Sequence, residues 1–349
     1  MENTKTIISA ALEGEDVDPL VESQGDAEIR QFSFSVAQHG MRLDHALVDI
    51  VPEFSRSYLQ QLVELGFVRV NGQVARKPSQ KIKAFELGYI ELRPTPQSQA
   101  FKAENMSLDI VYIDEHLMVI NKPAGLVVHP APGNWRGTLM NGLLGFDSQA
   151  FNLPRAGIVH RLDKDTSGLM VVARKRSVMD ALIKAIAARD VKRQYLALAH
   201  GRWLGGPHRE VNAPIGRDPG NRLRMAVVDL DLHTGKTAQT DVDLLANGAH
   251  GCLVKCTLHT GRTHQIRVHM ASLSHPLVAD SSYGGMIAAG MQRQALHAFH
   301  LAFLHPVTAE SLRFTTQLPI DFSQALDCWG LQYNQHISQM NTKLSSAKN

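Results

Sequence analysis

Cysteine is rare in this sequence, since the 349 residues contain only Cys252, Cys256 and Cys328. Three cysteines can form at most one disulfide, too few to stabilise a chain of this length, which argues against a disulfide-rich secreted protein. The sequence also lacks an apolar run of about 18 residues, so it predicts no membrane-spanning helix. Its early apolar stretch at 7–12 is followed by acidic residues and not by a cleavage site, unlike a signal peptide. We therefore expect a cytoplasmic protein.

Sequence motifs for the common cofactors are missing as well. There is no Walker loop, no Rossmann glycine fingerprint and no Gly-x-Ser-x-Gly elbow, which argues against a nucleotide cofactor and against α/β-hydrolase chemistry. His259, His264 and His269 recur every five residues, whereas paired histidine ligands on a helix need a spacing of four. Cys252 and Cys256 lie in a predicted strand, the wrong local geometry for a zinc knuckle. We expect no nucleotide cofactor and no metal site.

Charge is distributed unevenly along the chain, although the net charge is only +3. Residues 1–30 carry eight acidic side chains against Lys5 and Arg30, so this segment has a charge of −6 and the rest of the chain +9. We expect residues 1–35 to be an acidic, disordered leader. The basic remainder favours a polyanionic partner.

Residues 36–93 are predicted to form a small separate domain. Apolar residues repeat at helical spacing over 41–50, and Ser57 with Gln60 resembles a capping box for a second helix. Asn71-Gly72 then predicts a tight β-hairpin. Basic residues are frequent in this domain: Arg56, Arg69, Arg76, Lys77, Lys81 and Lys83.

The larger part of the chain, residues 108–330, is predicted to be a mixed α+β domain. Short apolar or alternating stretches, such as 117–120 and 193–199, predict strands, and helices are expected to begin at Ser177 and Thr263. Many short strands with few helices predict a mixed, mostly antiparallel sheet. A linker over 94–107 should precede this domain, and a polar tail over 331–349 should follow it.

The stretch GIVHRLDKDTSGLMVVAR, residues 157–174, places four charged side chains between two apolar runs. The pattern indicates a hairpin whose tip carries Asp163 and Asp165. A carboxylate fixed between two buried strands would have the rigid geometry that catalysis needs. Asp, Thr, Ser and Gly are also ordinary turn formers, so a plain charged surface turn remains open at this point.

Two residues elsewhere in the sequence are also candidates for a functional site. Arg267 is expected on the flank of the helix from Thr263, beside its apolar face, and an arginine at the edge of a core usually meets a carboxylate or a phosphate. Tyr195 is expected on the strand face opposite Leu196 and Leu198. At this position Tyr195 is either a functional residue or a half-buried structural aromatic residue whose hydroxyl is exposed to solvent.

Four segments of the larger domain carry distinctive motifs in a fixed order. They are INKPAGLVVHP from Ile120, HRLDKDTSGL from His160, RQYLA from Arg193 and TGRTHQIRVH from Thr260. In these motifs the sequence resembles the RNA pseudouridine synthases of the RluA/RluD family over roughly residues 108–325. Residues 126–134 and the Asp-Lys-Asp-Thr run look most like the RluD branch, whose substrate is a stem-loop of large-subunit rRNA. Residues 41–92 are similar to an S4 RNA-binding domain.

The resemblance implies an isomerase that needs no cofactor, with a mixed sheet split into two halves around a central cleft. It makes Asp163 the catalytic aspartate, Arg267 its ion-pair partner and Tyr195 the aromatic residue against the target base. Arg161 would fill the gap left by a flipped nucleotide, and Asp165 would be a turn residue. Further candidate substrate-binding residues are Lys122, Arg262 and His264 in the catalytic domain and Arg56 in the S4 domain.

Several alternatives stay open at this level. The same chemistry could act on another rRNA site or on a tRNA. Alternatively, the protein could be a non-catalytic RNA-binding factor for ribosome assembly. A hydrolase using Asp163 and Asp165 is disfavoured, because residues two apart on one turn can hardly flank a bond from opposite sides. We expect a monomer that binds RNA.

Overall fold

The computed structural model describes residues 28–52, 54–93, 101–131 and 134–333. The chain divides into two compact units between residues 95 and 96. Most of the predicted acidic leader and of the predicted tail, residues 1–27 and 334–349, lie outside the described residues.

The N-terminal unit packs two helices on a four-stranded antiparallel sheet. The helices are α1 (Leu43–Ile50) and α2 (Arg56–Glu64), and the strands follow the order β1 (Glu28–Ser33), β4 (Leu87–Leu92), β2 (Val68–Val70), β3 (Gln73–Ala75). Asn71 and Gly72 both have positive φ, 50° and 79°, as the two-residue turn between β2 and β3 requires. The predicted hairpin is therefore present.

Two details of this unit differ from the sequence-based expectation. Helix α2 begins earlier than predicted, because the Ser55 hydroxyl, and not that of Ser57, accepts the cap hydrogen bond from the Tyr58 amide. Residues 28–33, expected in the disordered leader, form β1 and pair with β4 over six residues. The acidic composition of the leader concealed the alternating pattern that makes this edge strand.

The C-terminal unit is built on one large, mostly antiparallel sheet of nine strands. Eight run in the order β5-β6-β7-β15-β8-β14-β13-β9, and β16 pairs with β15. A small sheet holds β10, β11 and β12. The strands are β5 (Ile110–Ile113), β6 (Leu117–Lys122), β7 (Ser167–Ala173), β8 (Lys192–His200), β9 (His208–Asn212), β10 (Ile215–Arg217), β11 (Met225–Val227), β12 (Gly235–Lys236), β13 (Gln239–Asn247), β14 (Gly251–Leu258), β15 (Leu296–Leu304) and β16 (Ser311–Thr315). The helices are α3 (Leu139–Phe146), α4 (Arg176–Ala188), α5 (Gln265–Ser272) and α6 (Ile320–Cys328).

The two halves of this sheet meet at a short parallel contact between β7 and β15. It consists of two pairs, His297 with Ser167 and Ala298 with Gly168. Gly168 has a φ of 116°, and a Cβ there would lie 2.2 Å from the carbonyl oxygen of Ala298. Only glycine therefore lets the two halves approach this closely. The mixed α+β class and the two-part sheet agree with the prediction.

Strand β7 explains why the centre of the sheet is buried on both faces. All seven of its residues are buried. Because side chains alternate along a strand, Met170 and Val172 enter one apolar cluster while Leu169, Val171 and Ala173 enter the cluster on the other face. Both faces of β7 are thus anchored, so the loop that precedes it is held at a fixed position.

Several local predictions for this unit were wrong. The stretch 157–174 forms one strand and not a hairpin, because its first half pairs with β7 only through an isolated bridge between Ile158 and Val172. Helix α4 is preceded by Lys175 and not by a capping Ser177. Helix α5 begins at Gln265, two residues later than expected, since His264 adopts a left-handed conformation.

The predicted domain boundaries also need adjustment where the structure describes them. Residues 101–107 do not behave as a free linker: the backbone amide of Glu104 donates to the Asn141 carbonyl, and the Asn141 side chain donates to the Lys102 carbonyl. At the other end Leu331, expected in the tail, is buried in an apolar cluster with residues of α6.

Candidate active site

Asp163 and Arg267 form the centre of the candidate site. Residue 163 lies in the loop before β7, and Arg267 lies in the first turns of α5. One Nη atom of Arg267 donates to Oδ2 of Asp163 at 3.1 Å. The Arg267 side chain is 7% exposed and the Asp163 side chain 18% exposed, so the pair is largely screened from water while Asp163 still lines a cleft. The predicted ion pair between these two residues is present.

A second carboxylate, which the sequence motifs did not reveal, holds Arg267 in place. Asp280 accepts from Nε and from the other Nη atom of Arg267 at 2.7 and 2.8 Å, and its side chain is 1% exposed. The ring of Tyr283 lies 4.9 Å from the same guanidinium. Although burial opposes it, these carboxylates raise the pKa of Arg267 above its usual value. A permanent, oriented cation therefore faces Asp163.

The loop that carries Asp163 is supported from behind by Lys122. Its ammonium donates to the backbone carbonyls of Pro123, Leu126 and Lys164 at 2.8–2.9 Å. Lys122 is 1% exposed and burial lowers its pKa to about 7. The expectation that Lys122 contacts substrate does not fit this geometry, because all three of its N–H donors are used within the protein. Lys122 therefore holds the loop that carries Asp163 in position.

Tyr195 lies on β8 and lines the same cleft as Asp163. It packs in the apolar cluster on one face of the sheet, whereas Leu196 and Leu198 enter the cluster on the other face, as the alternation predicted. The tyrosine is 5% exposed. Burial, partly offset by the positive charge of Arg193, raises the pKa of Tyr195 to about 12. The phenol is therefore protonated at neutral pH.

Three further predicted residues line the cleft in different ways. Arg161 is exposed and makes no hydrogen bond or ion pair with any residue that the structure describes. Arg262 donates from Nε to the Thr237 carbonyl at 3.0 Å. Nε2 of His264 lies 3.9 Å from Oδ1 of Asp163, too far for a hydrogen bond, while Nδ1 bonds the Tyr283 hydroxyl at 2.7 Å. Burial, partly offset by Asp163, lowers the pKa of His264.

The loop between β14 and α5 is organised by the side chain of Gln265. Its oxygen accepts from the Thr260 hydroxyl at 2.7 Å and from the Arg262 amide at 2.9 Å. Its nitrogen donates to the Gln239 carbonyl and the Thr240 hydroxyl, both at 2.9 Å. These four bonds satisfy the buried amide, so they fix the loop that leads to Arg267.

The cleft in front of Asp163 has a volume of about 1110 Å³. Six arginines line it, and Asp163 is the one Asp or Glu among the described residues that does so. The arginines are Arg155, Arg161, Arg189, Arg193, Arg262 and Arg267. A concave, cation-rich surface around a single carboxylate suits an anionic substrate that reacts at one point.

Comparison with known proteins identifies the family. A sequence profile described as RNA pseudouridylate synthase matches residues 116–272, and one for the S4 domain matches residues 41–86. The chain is 44% identical over 304 residues to a Neisseria meningitidis serogroup B protein named ribosomal large subunit pseudouridine synthase D, covering 84% of this chain and 80% of that one. The chain belongs to the RNA pseudouridylate synthase family. The predicted family and enzyme class are confirmed.

Other relatives of this pseudouridine synthase agree. A Xylella fastidiosa protein with the same name is 44% identical over 310 residues, covering 85% of this chain and 91% of that one. Among solved structures, human RNA pseudouridylate synthase domain containing 1 superposes with a TM-score of 0.53 at 27% identity. That match covers 68% of this chain and 96% of the human one.

In the S4 domain of this synthase, Arg56 has a structural partner. Its Nε and one Nη donate to Oδ2 of the fully buried Asp44 at 3.0 and 2.8 Å, and Arg42 donates twice to the same carboxylate. The pair links the start of α2 to α1. The Arg56 side chain is still 46% exposed, so a contact with RNA stays a prediction.

Within the described residues of the synthase, no group of three His, Cys, Asp or Glu side chains is arranged to hold a metal ion. Cys252 and Cys256 are both buried in the apolar core of the sheet. Every helix in the described ranges is too short or too polar to span a membrane.

The sequence reasoning missed two charged residues of the site, Asp280 and Arg193. Asp280 follows the apolar run Leu277-Val278-Ala279, and an acid at the end of such a run is the one signal that could have marked it. Arg193 begins the RQYLA motif, but the sequence predicts no role for it, although it precedes Tyr195 by two residues and therefore shares its face.

Proposed function

We propose that this enzyme converts specific uridines of large-subunit rRNA to pseudouridine, with Asp163 as its catalytic carboxylate. The observation that carries the proposal is the cleft itself, in which a single carboxylate, paired with the buried guanidinium of Arg267, is surrounded by cations. The relatives from Neisseria meningitidis and Xylella fastidiosa are both named for the large ribosomal subunit, which supports rRNA as the target.

Pseudouridine formation breaks the bond between N1 of uracil and C1′ of ribose and re-attaches the base through C5. The reaction has no net redox change and transfers no group to another molecule, so it needs no redox cofactor. Arg267 bonds only Oδ2 of Asp163, which leaves Oδ1 free to face the ribose. That oxygen either adds to C1′ or takes a proton from C2′, and both routes need an ionised carboxylate. The adjacent guanidinium holds this carboxylate in place through the bond to Oδ2.

Tyr195 is proposed to pack against the uracil ring and to act as a hydrogen-bond donor. A role as general base would require its phenolate, and a pKa of about 12 makes that form rare at neutral pH. The final proton transfer from C5 is therefore assigned to water or to another group in the cleft.

Access to the uridine requires that the nucleotide leave its stack, which costs a few kcal/mol. Arg161 suits the role of replacing it, because it is exposed, it lines the cleft and no described side chain engages it. A planar guanidinium can stack in the space left by the base and contact phosphate at the same time.

We infer that the S4 domain adds affinity through its basic residues and that Arg262 and His264 contact the RNA near the reacting uridine. Contacts of this kind are mostly to phosphate and weaken with salt. We further propose that the enzyme works in the cytoplasm as a monomer without a metal, because the isomerisation calls for neither a second subunit nor a Lewis acid.

The test compares Asp163→Asn with Asp165→Asn on transcripts of large-subunit rRNA, with pseudouridine mapped by primer extension. Both residues are in one loop, but Asp165 does not line the cleft. We expect Asp163→Asn to bind RNA within about twofold of wild type and to form no product, since it loses the charge that reacts. Asp165→Asn should keep most of the activity.

Each alternative predicts a different result in the same experiment. Wild-type protein that modifies tRNA and leaves rRNA unchanged would contradict the proposed target but not the chemistry. Binding of rRNA without any pseudouridine would favour a non-catalytic assembly factor. Equal loss of activity in the two variants would favour a hydrolase with two carboxylates, which would also release free uracil.

A further inference from the structure

Arg193 differs from the other five arginines of the cleft. It is 5% exposed, yet none of its five N–H groups bonds any residue that the structure describes, and its Nε is inaccessible and unsatisfied. Arg267 has two carboxylates, while Arg189 and Arg262 each bond a carbonyl oxygen. Arg155 and Arg161 are exposed to water. Arg193 is thus a buried cation of this cleft without a partner among the described residues.

The surroundings of Arg193 place it beside the reacting groups. It precedes Tyr195 by two residues on β8, so both side chains emerge from the same face of the sheet. A Cβ at Gly261 would lie 2.9 Å from Nη1 of Arg193, so the absence of a side chain there lets the guanidinium lie against the loop before α5. That loop leads directly to Arg267.

A second unsatisfied donor is found nearby, on His160. Its Nε2 accepts from the Val171 amide at 3.1 Å, so in the neutral ring the proton is on Nδ1. Nδ1 is buried and has no partner among the described residues. Burial, together with the charge of Arg193, lowers the pKa of His160 to about 3, which keeps the ring neutral. Arg193 and His160 therefore present N–H donors and no acceptor.

A buried charge without a partner is costly, and proteins retain one where a ligand supplies the opposite charge. No described carboxylate pairs with Arg193, and the natural counterpart is an anionic oxygen. The reaction generates such an oxygen within the cleft. When the N1–C1′ bond breaks, its electron pair moves to the uracil ring and spreads over N1, O2 and O4. The charge persists until this electron pair forms the C5–C1′ bond. The C5 proton is then lost and N1 gains a proton, with no further change in net charge.

We propose that Arg193 is a catalytic residue that binds an anionic oxygen of the uridine nucleotide, namely a carbonyl oxygen of the departing uracil. This inference rests on the proposed function. The base is favoured over a backbone phosphate because the guanidinium is buried and shares a strand face with Tyr195, the aromatic side chain assigned to the ring. A cation already in place at the leaving group stabilises the charge that develops in the transition state.

The test measures single-turnover rate constants and RNA dissociation constants at several salt concentrations for Arg193→Met and Arg193→Lys in the full chain. Arg313→Met is the matched control, because Arg313 is a strand arginine on β16 that is exposed and does not line the cleft. We expect Arg193→Met to lower the rate constant about 100-fold or more, with RNA affinity within about twofold of wild type. Arg193→Lys should recover part of the rate.

Stability distinguishes this role from a structural one. Removal of an unpaired buried cation should leave the melting temperature of Arg193→Met unchanged or higher in the absence of RNA, whereas loss of a structural arginine lowers it. A lower melting temperature together with an unchanged rate constant would overturn the proposal. If Arg193→Met does not fold, Gly261→Ala tests the same point, since it displaces the guanidinium at a position with an ordinary φ. An unchanged rate constant in that variant would then overturn it.

The same measurements show whether Arg193 binds a uracil carbonyl oxygen or a phosphate oxygen. A contact to phosphate would leave the saturated rate constant intact, weaken binding and reduce the slope of log affinity against log salt by about 0.7. That result would keep the anionic partner but overturn its assignment to the base. If wild type and Arg193→Met form pseudouridine at equal rates, this inference fails alone. If wild type forms none, the proposed function fails.

Discussion

Asp280 offers the sharpest test of how the site is built, because no motif pointed to it. Asp280→Ala removes both charge-assisted hydrogen bonds that orient Arg267, at 2.7 and 2.8 Å, and leaves a 7%-exposed guanidinium with the single bond to Asp163. Two such bonds at about 1.5–3 kcal/mol each, or the 3–5 kcal/mol typical of breaking a buried pair, give a loss of about 4 kcal/mol.

Calorimetry on the full chain measures this loss. A change of about 4 kcal/mol corresponds to a fall of about 8–16 °C in the melting temperature of the C-terminal unit. Asp321→Ala is the matched control for stability, because Asp321 binds Arg293 with the same two-bond geometry but is 40% exposed, so its loss should cost about 1 kcal/mol or less. The comparison isolates the contribution of burial.

Activity should fall with stability in the Asp280 variant. A guanidinium displaced by about 1 Å no longer orients the reactive carboxylate, and such a misplacement reduces kcat about 100-fold. KM should change little, since Asp280 does not line the cleft. A variant that melts within about 2 °C of wild type and keeps a third of its kcat would refute the argument that Asp280 positions Arg267.

Three further predictions concern residues outside direct contact with the uridine. Asp44→Asn should lower the free energy of unfolding of the S4 domain, measured in urea, by about 3 kcal/mol. Although burial opposes it, hydrogen bonds from Arg42, Gln60 and Arg56 hold the pKa of Asp44 below its usual range. The stabilisation by this carboxylate is therefore present at neutral pH and is lost as the pH falls below about 4. Lys122→Met should reduce kcat at least 10-fold with RNA affinity retained, because three loop carbonyls lose their donor; equal kcat in single-turnover assays would contradict this. Gly168→Ala should lower the melting temperature by about 6 °C or more, since its Cβ would collide with the Ala298 carbonyl, and a stable variant would show that the halves of the sheet can separate.

The two carboxylates that bind Arg267, Asp280 and Asp163, have different functions. Asp280 neutralises and orients the guanidinium from the buried side, and Asp163 receives the remaining Nη donor on the side of the cleft. Arg267 can therefore hold Asp163 with one bond to Oδ2 and leave Oδ1 without a bond from the guanidinium. Without Asp280 the guanidinium would lose its two bonds on the buried side and keep only the single bond to Asp163.

Local features of this protein followed from the sequence because their causes are local. Asn71-Gly72 formed the predicted turn, since both residues tolerate positive φ. Tyr195 and Leu196 took opposite faces of β8, because side chains of a strand alternate. The motifs around Asp163 and Arg267 led to the family. Helix starts were off by one or two residues where a neighbouring residue capped or bent the backbone instead, as Ser55 and His264 do.

The family resemblance implied the pair between Asp163 and Arg267, but only the tertiary structure shows the other partners of the buried charges. Periodicity says that a side chain faces the core, but it does not name the partner there. Arg267 binds Asp280 as well as Asp163, which lies 104 residues away along the chain. Lys122, expected to contact substrate, donates to three backbone carbonyls. These partnerships depend on the two-residue parallel contact between β7 and β15, which joins segments about 130 positions apart. The sequence thus determined the elements and their chemistry, whereas the closure of the sheet at Gly168 decided the distances between them, because packing forces act between surfaces that are remote along the chain.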